Sequence, residues 1–122
     1  MPAQFSDDIQ DPITKFLQDT KRGHPRSLTI CHVNINSIRN KFENVHDILT
    51  KGLADIFIIS ENKIDESFPN AQFECDGFKM YRRDRTMDGG GLMCYVRSDI
   101  PQRRRNEFEG SSIESPVIEF NI

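Results

Sequence analysis

The sequence predicts an α/β fold that opens with a strand-helix-strand unit and continues in antiparallel strands. Three observations carry this expectation. Two nearly continuous apolar runs, residues 28–33 and 55–60, read as strands buried on both faces. Between them Ile38, Phe42, Val45, Leu49 and Leu53 recur at helical spacing. Further on, Phe78–Arg83 and Leu92–Arg97 read as an antiparallel pair around a glycine-rich loop.

Taken in order, residues 1–27 form a polar leader distinct from the domain that occupies 28–122. In the leader, Asp11-Pro12 followed by Ile13, Phe16 and Leu17, and closed by Lys21-Arg22-Gly23, predicts one short, weakly anchored amphipathic helix with proline in its first turn. The helix after the first strand starts from Ser37 as its N-cap and ends near Gly52. The crossover makes the first two strands parallel. Residues 62–77 are irregular, with turn signals at Ser67-Phe68-Pro69-Asn70 and Asp76-Gly77. In the loop 84–91, Gly89, Gly90 and Gly91 permit positive φ and a close backbone approach; no Gly-Lys-Ser/Thr follows, so this is not a P-loop. Residues 115–122 read as a last strand.

Parallel strands bring their carboxyl ends to one edge of the sheet. Asn34, with Asn36 beside it, and Glu61 stand at those ends, about 5 to 10 Å apart by strand spacing. Amide and carboxylate oxygens are hard ligands of the kind Mg2+ takes, and open α/β sheets bind ligands at this edge. On spacing alone a second reading stands beside this one: Asn is a common turn residue, and a Glu at a strand end is often simply solvated.

Three residue strings add a family resemblance. They are Leu-Thr-Ile-Cys-His-Val-Asn-Ile-Asn-Ser-Ile-Arg-Asn-Lys (28–41), Ala-Asp-Ile-Phe-Ile-Ile-Ser-Glu-Asn-Lys-Ile-Asp (54–65) and Tyr-Arg-Arg-Asp-Arg-Thr-Met-Asp-Gly-Gly-Gly-Leu-Met-Cys-Tyr-Val-Arg (81–97). Together they resemble the endonuclease/exonuclease/phosphatase domain at the front of non-LTR (LINE-type) retrotransposon polyproteins. The resemblance runs from about Leu28 to the last residue and implies part of a four-layer α/β sandwich. It also implies a Mg2+-dependent phosphodiesterase acting on DNA, expected in the nucleus. Asn34 and Glu61 are then the catalytic pair, Glu61 with Asn36 serving the metal, either directly or through its water. Many members carry Thr after the Glu, where this chain has Asn62.

The rest of the family's site has no match in these residues. No Gly-Asp pair exists for the Gly-Asp-Phe-Asn motif; Ser6-Asp7 and Ser98-Asp99 are not followed by His as Ser-Asp-His requires. His24, His32 and His46 all lie in the wrong context. Without a positioned acid or base, roughly a hundred- to ten-thousand-fold of rate is missing. The expectation is therefore a truncated N-terminal half of the domain, inactive alone. The alternative is a non-enzymatic module that binds nucleic acid or protein through its arginines or its leader helix.

Composition adds bounds. Net charge is -3 with 29% charged residues, so overall charge gives no argument for nucleic-acid binding. Locally, Arg82, Arg83 and Arg85, and then Arg103, Arg104 and Arg105, form clusters able to meet phosphates, or to be plain solvated loop charge. Cys31, Cys75 and Cys94 are odd in number and widely spaced, which suggests neither a disulfide framework nor a zinc site and fits a reducing intracellular compartment. No apolar stretch is long enough for a membrane span, and nothing in the sequence sets the oligomeric state.

Overall fold

The computed structural model describes residues 12–85, 90–110 and 115–121. In chain order the elements are α1 (Pro12–Gly23), β1 (Ile30–Asn34), α2 (Phe42–Thr50), β2 (Ile56–Ser60), β3 (Phe78–Arg83), β4 (Leu92–Arg97), β5 (Gln102–Arg104) and β6 (Ile118–Phe120). Short 3-10 turns occupy Asn70–Phe73 and Asn106–Phe108. None of the described helices is long and apolar enough to cross a membrane.

Four strands form one sheet in the order β1-β2-β4-β3. β1 and β2 are parallel, with Asn34 opposite Ser60. β4 runs antiparallel to both β2 and β3, so the expected pair is formed and β4 is inserted beside β2. β5 and β6 make a separate antiparallel ribbon.

Alternation along each strand divides the sheet into two faces. On one face Phe57, Ile59, Met93 and Tyr95 pack with Val45, Ile48 and Leu49 of α2. On the other, Ile56, Cys94 and Val96 pack with Ile100 and with Ile118 and Phe120 of the ribbon. Burial in these clusters pushes the Cys94 thiol up to about 12, so that cysteine stays protonated and unreactive.

The end of α2 shows how sequence sets the path. The Gly52 amide donates to the Leu49 carbonyl (3.0 Å) and the Leu53 amide to the Ile48 carbonyl (3.2 Å), while Gly52 takes φ 69°. This is a Schellman ending, whose apolar contact is supplied by the buried Ile48 and Leu53. It turns the chain directly into β2.

Four expectations are corrected. Ser37 does not cap α2: it has φ 87°, and the helix begins five residues later, after Lys41. The reason is that residues 35–38 continue to bond with the segment after β2, which commits their amides before any helix can start. β1 is not buried on both faces, because it is an edge strand and Ile30, His32 and Asn34 are exposed. The helix of the leader is not weakly anchored, since Leu17 is 3% exposed within the main core. The last strand is only three residues long and pairs with β5, a polar segment with no alternating pattern; Ile122 lies outside the described residues, as does Gly89 of the glycine run.

Candidate active site

The tips of β1 and β2 are held by backbone bonds from three segments of the chain. The Ile35 amide donates to the Ser60 carbonyl (3.0 Å), Ser37 to Glu61 (2.8 Å) and Ile38 to Asn62 (3.0 Å). From the other side, the amides of Glu61 and Lys63 donate to the carbonyls of Gly91 (2.9 Å) and Gly90 (3.1 Å). Residues 35–38, 61–63 and 90–91 therefore form one rim. Gly90 and Gly91 have φ 78° and 88°, the positive values expected of the glycine run.

The rim is strained. Asn36 (φ 49°), Ser37 (φ 87°), Glu61 (φ 60°) and Lys63 (φ 55°) are, among the described residues, all of the non-glycine positions with positive φ. Such conformations cost on the order of 1–3 kcal/mol each and persist only where surrounding structure enforces them, most often at functional sites. Here the enforcing structure is the set of cross-segment bonds just described.

Asn34 is exposed on β1 and accepts, through Oδ1, the Asn36 amide at 3.2 Å. This turn leaves the second lone pair of Oδ1 available. Asn36 Oδ1 accepts from Lys63 Nζ at 2.5 Å, while Lys41 Nζ donates to the Ile35 carbonyl at 2.6 Å. Glu61, one residue past the position paired with Asn34, is half-buried, and its carboxylate takes no hydrogen bond or ion pair from any described residue. His32 Nε2 lies 3.1 Å from Ser60 Oγ, on the same face as Asn34.

The structure thus brings together the sites of Asn34, Asn36 and Glu61 at one edge, and adds residues that the sequence did not place there. Lys63 occupies the amide oxygen of Asn36. Ser60 and His32 form a pair beside Asn34. Asn62, fully buried, and Gly91 lie beneath Glu61. The Ser-Glu-Asn-Lys string held the signal for three of these, Ser60, Asn62 and Lys63, because polar residues at the end of a buried strand must find partners.

Among the described residues no three of His, Cys, Asp and Glu converge. The Glu61 carboxylate and the amide oxygen of Asn34 are hard donors that fit Mg2+, an ion that commonly takes one or two carboxylates and keeps several waters.

The arginines fall elsewhere. Arg82, with a side chain 10% exposed, donates to the carbonyls of Asp65 (2.9 Å) and Phe68 (2.6 Å) and pairs with Asp84. Arg83 and Arg104 both bind Glu109, at 3.1 and 2.8 Å. Arg103 and Arg105 share Glu119, and Arg105 also binds Glu107 and stacks on Phe108. Hydrogen bonds from Arg104, helped by the Val117 amide and Arg83, overcome burial and hold the Glu109 carboxyl down to about 2. Arg82, Arg83 and Arg104 are thus tied into the body of the protein; Arg85 and Arg103 are the exposed members of the set.

No protein-family model and no curated protein matches the chain. Among solved structures it is similar to a 3′ phosphatase, NExo (D146N), from Neisseria bound to product DNA hairpin. That match has a TM-score of 0.51 and 20% identity, over 70% of this chain and 34% of that one. The fold is of the endonuclease/exonuclease/phosphatase type. The chain is also similar to an AP endonuclease from Archaeoglobus fulgidus, with a TM-score of 0.49 and 26% identity, covering 61% of this chain and 30% of that one. It spans about a third of the length of each of these structures.

Proposed function

We propose that this chain contributes the metal-binding part of a Mg2+-dependent phosphodiesterase site for DNA, of the type found in retrotransposon endonucleases. The observation that carries the reading is the rim: every left-handed non-glycine residue described is concentrated there, around a carboxylate that has no partner among the described residues. Glu61 would hold the ion together with Asn34, and Asn36 would order its water once Lys63 is displaced. The bound ion would supply charge neutralisation at a phosphate oxygen. The chain's own residues supply the seat, and the Lys63 and Lys41 ammonium groups add positive charge where a phosphate would lie.

These 122 residues carry no match to the family's Gly-Asp-Phe-Asn and Ser-Asp-His motifs. Hydrolysis by the chain alone is therefore expected to be weak or absent, since no described group is placed to activate water. Incubation with supercoiled plasmid and Mg2+, beside Glu61→Ala, tests this. The expected result is no nicking above background by either protein. Nicking by the natural chain that Glu61→Ala abolishes would show a working nuclease, while nicking that survives the substitution would remove Glu61 from the site.

A further inference from the structure

We infer that Asn62 and Gly91 are a positioning pair that fixes where the Glu61 carboxylate stands. The functional consequence rests on the reading of Glu61 as the metal carboxylate, whereas the geometry does not. Asn62 is 0% exposed, and its Oδ1 accepts the Ile64 amide at 3.3 Å, closing a turn over Lys63. Its side-chain amide lies so close to Gly91 that a Cβ on that glycine would stand 2.2 Å from Oδ1. Its backbone is bonded on both sides, the carbonyl accepting from Ile38 and the amide donating to Gly91 (3.4 Å). One residue therefore joins all three segments of the rim.

Asn62 stands between the two left-handed residues Glu61 and Lys63. Left-handed residues persist only where surrounding structure enforces them, and between these two it is Asn62 that is bonded on both sides. This clamp has a visible cost: Asn62 Nδ2 is buried with no hydrogen-bond partner among the described residues. An apolar residue would avoid that cost, yet it would leave the Ile64 amide unpaired. A larger residue at position 91 would expel the amide. The pair thus works as a unit, with glycine giving the space and asparagine giving the acceptor.

The test uses the full chain labelled with 15N and 13C. Backbone HN–Hα couplings and Cα shifts report whether Glu61 and Lys63 keep positive φ, and Mn2+ broadening of the Glu61 and Asn34 signals reports metal binding. Asn62→Ala is expected to move Glu61 and Lys63 out of the left-handed region while the β1, β2 and β4 amides stay protected. Mn2+ affinity at Glu61 should fall about tenfold, as for loss of a residue that orients a metal ligand. Asn62→Ser, whose hydroxyl is able to accept from the Ile64 amide, is expected to restore both readouts in large part. Unchanged couplings and Mn2+ broadening in Asn62→Ala, or no recovery in Asn62→Ser, would overturn the inference. Where Asn62→Ala does not fold, Asn62→Ser decides alone: a folded sheet with Glu61 no longer left-handed counts against the pair, and Glu61 kept left-handed counts for it. If the natural chain shows no Mn2+ effect at Glu61, or Glu61→Ala leaves the effect intact, the metal reading fails while the couplings still decide the positioning role.

Discussion

Two acidic residues flank β2, and their surroundings are opposite. Asp55, just before the strand, has a side chain 5% exposed and is fully engaged: it accepts the Thr29 amide at 2.7 Å, pairs with Arg97 and lies 3.5 Å from Lys21 Nζ. Glu61, just after the strand, is half-buried on a left-handed backbone, and its carboxylate has no partner among the described residues. The first acid joins α1, the start of β1 and the end of β4. The second joins nothing through its side chain, although its backbone is held from both sides. A saturated carboxylate stabilises the fold, whereas an unsaturated one kept in a costly conformation is available for chemistry.

The largest way to break this contrast is Asp55→Ala. It leaves the Thr29 amide and the Arg97 guanidinium without their acceptor and breaks the tie that Lys21 makes from α1 to the sheet. A loss of roughly 3 kcal/mol is expected in urea unfolding, with faster amide exchange across α1. A loss below about 1 kcal/mol, the scale of an exposed ion pair, would mean that Asp55 is not the tie its geometry suggests.

Acid titration extends the contrast to Glu109, another saturated carboxylate. Its folded value of about 2 lies below the ordinary 4.5, so its stabilisation is fully present above about pH 4.5 and is lost as pH falls towards 2. By linkage the amount is at most about 3 kcal/mol, reduced by whatever solvent screens the cluster. Unfolding free energies measured between pH 5 and 2 should show this slope, and Glu109→Gln should flatten it.

The smallest expected effect has the opposite sign. Glu61→Gly places at φ 60° the residue that tolerates it best, so stability should rise by about 0.5–1 kcal/mol while Mn2+ binding disappears. The urea midpoint at unchanged slope measures the first quantity. A loss of stability instead would show that the Glu61 side chain contributes to the fold, and the distinction from Asp55 would collapse.

Much of the architecture was legible because it depends on local pattern. The apolar runs around Ile30 and Ile58, the helical spacing through Val45 and Leu49, and the strands flanking the glycine loop all declare themselves through periodicity. The placement of β4 between β2 and β3 was not legible, since alternation says that a strand has two faces and not which neighbours it takes. β5 escaped because Gln102, Arg103 and Arg104 have no apolar face; pairing with β6 and the bond from Arg104 to Glu109 hold it instead.

The site was legible in outline only. Asn34 and Glu61 stood out because strand ends are countable, whereas the roles of Asn62 and Lys63 depend on contacts with residues 36 and 91, which no local window contains. Ser37 misled for the same reason: serine before an apolar helix looks like a cap until the next segment claims its amide. The ion pairs of the arginines were not legible, because a cluster of charge in sequence gives no hint that Glu109 lies between Arg83 and Arg104.

The antiparallel course of β4 carries a consequence for how the protein comes into being. The residue that leads into it, Gly91, arrives where β2 leaves off, some thirty positions after Glu61 in order of synthesis. A nascent polypeptide leaving the ribosome therefore exposes Asn34 and Glu61 well before the glycines that shape their seat have been made. Until then the acid is an ordinary solvated side chain, and the seat proposed for a cation is completed late, when translation has passed the glycine run.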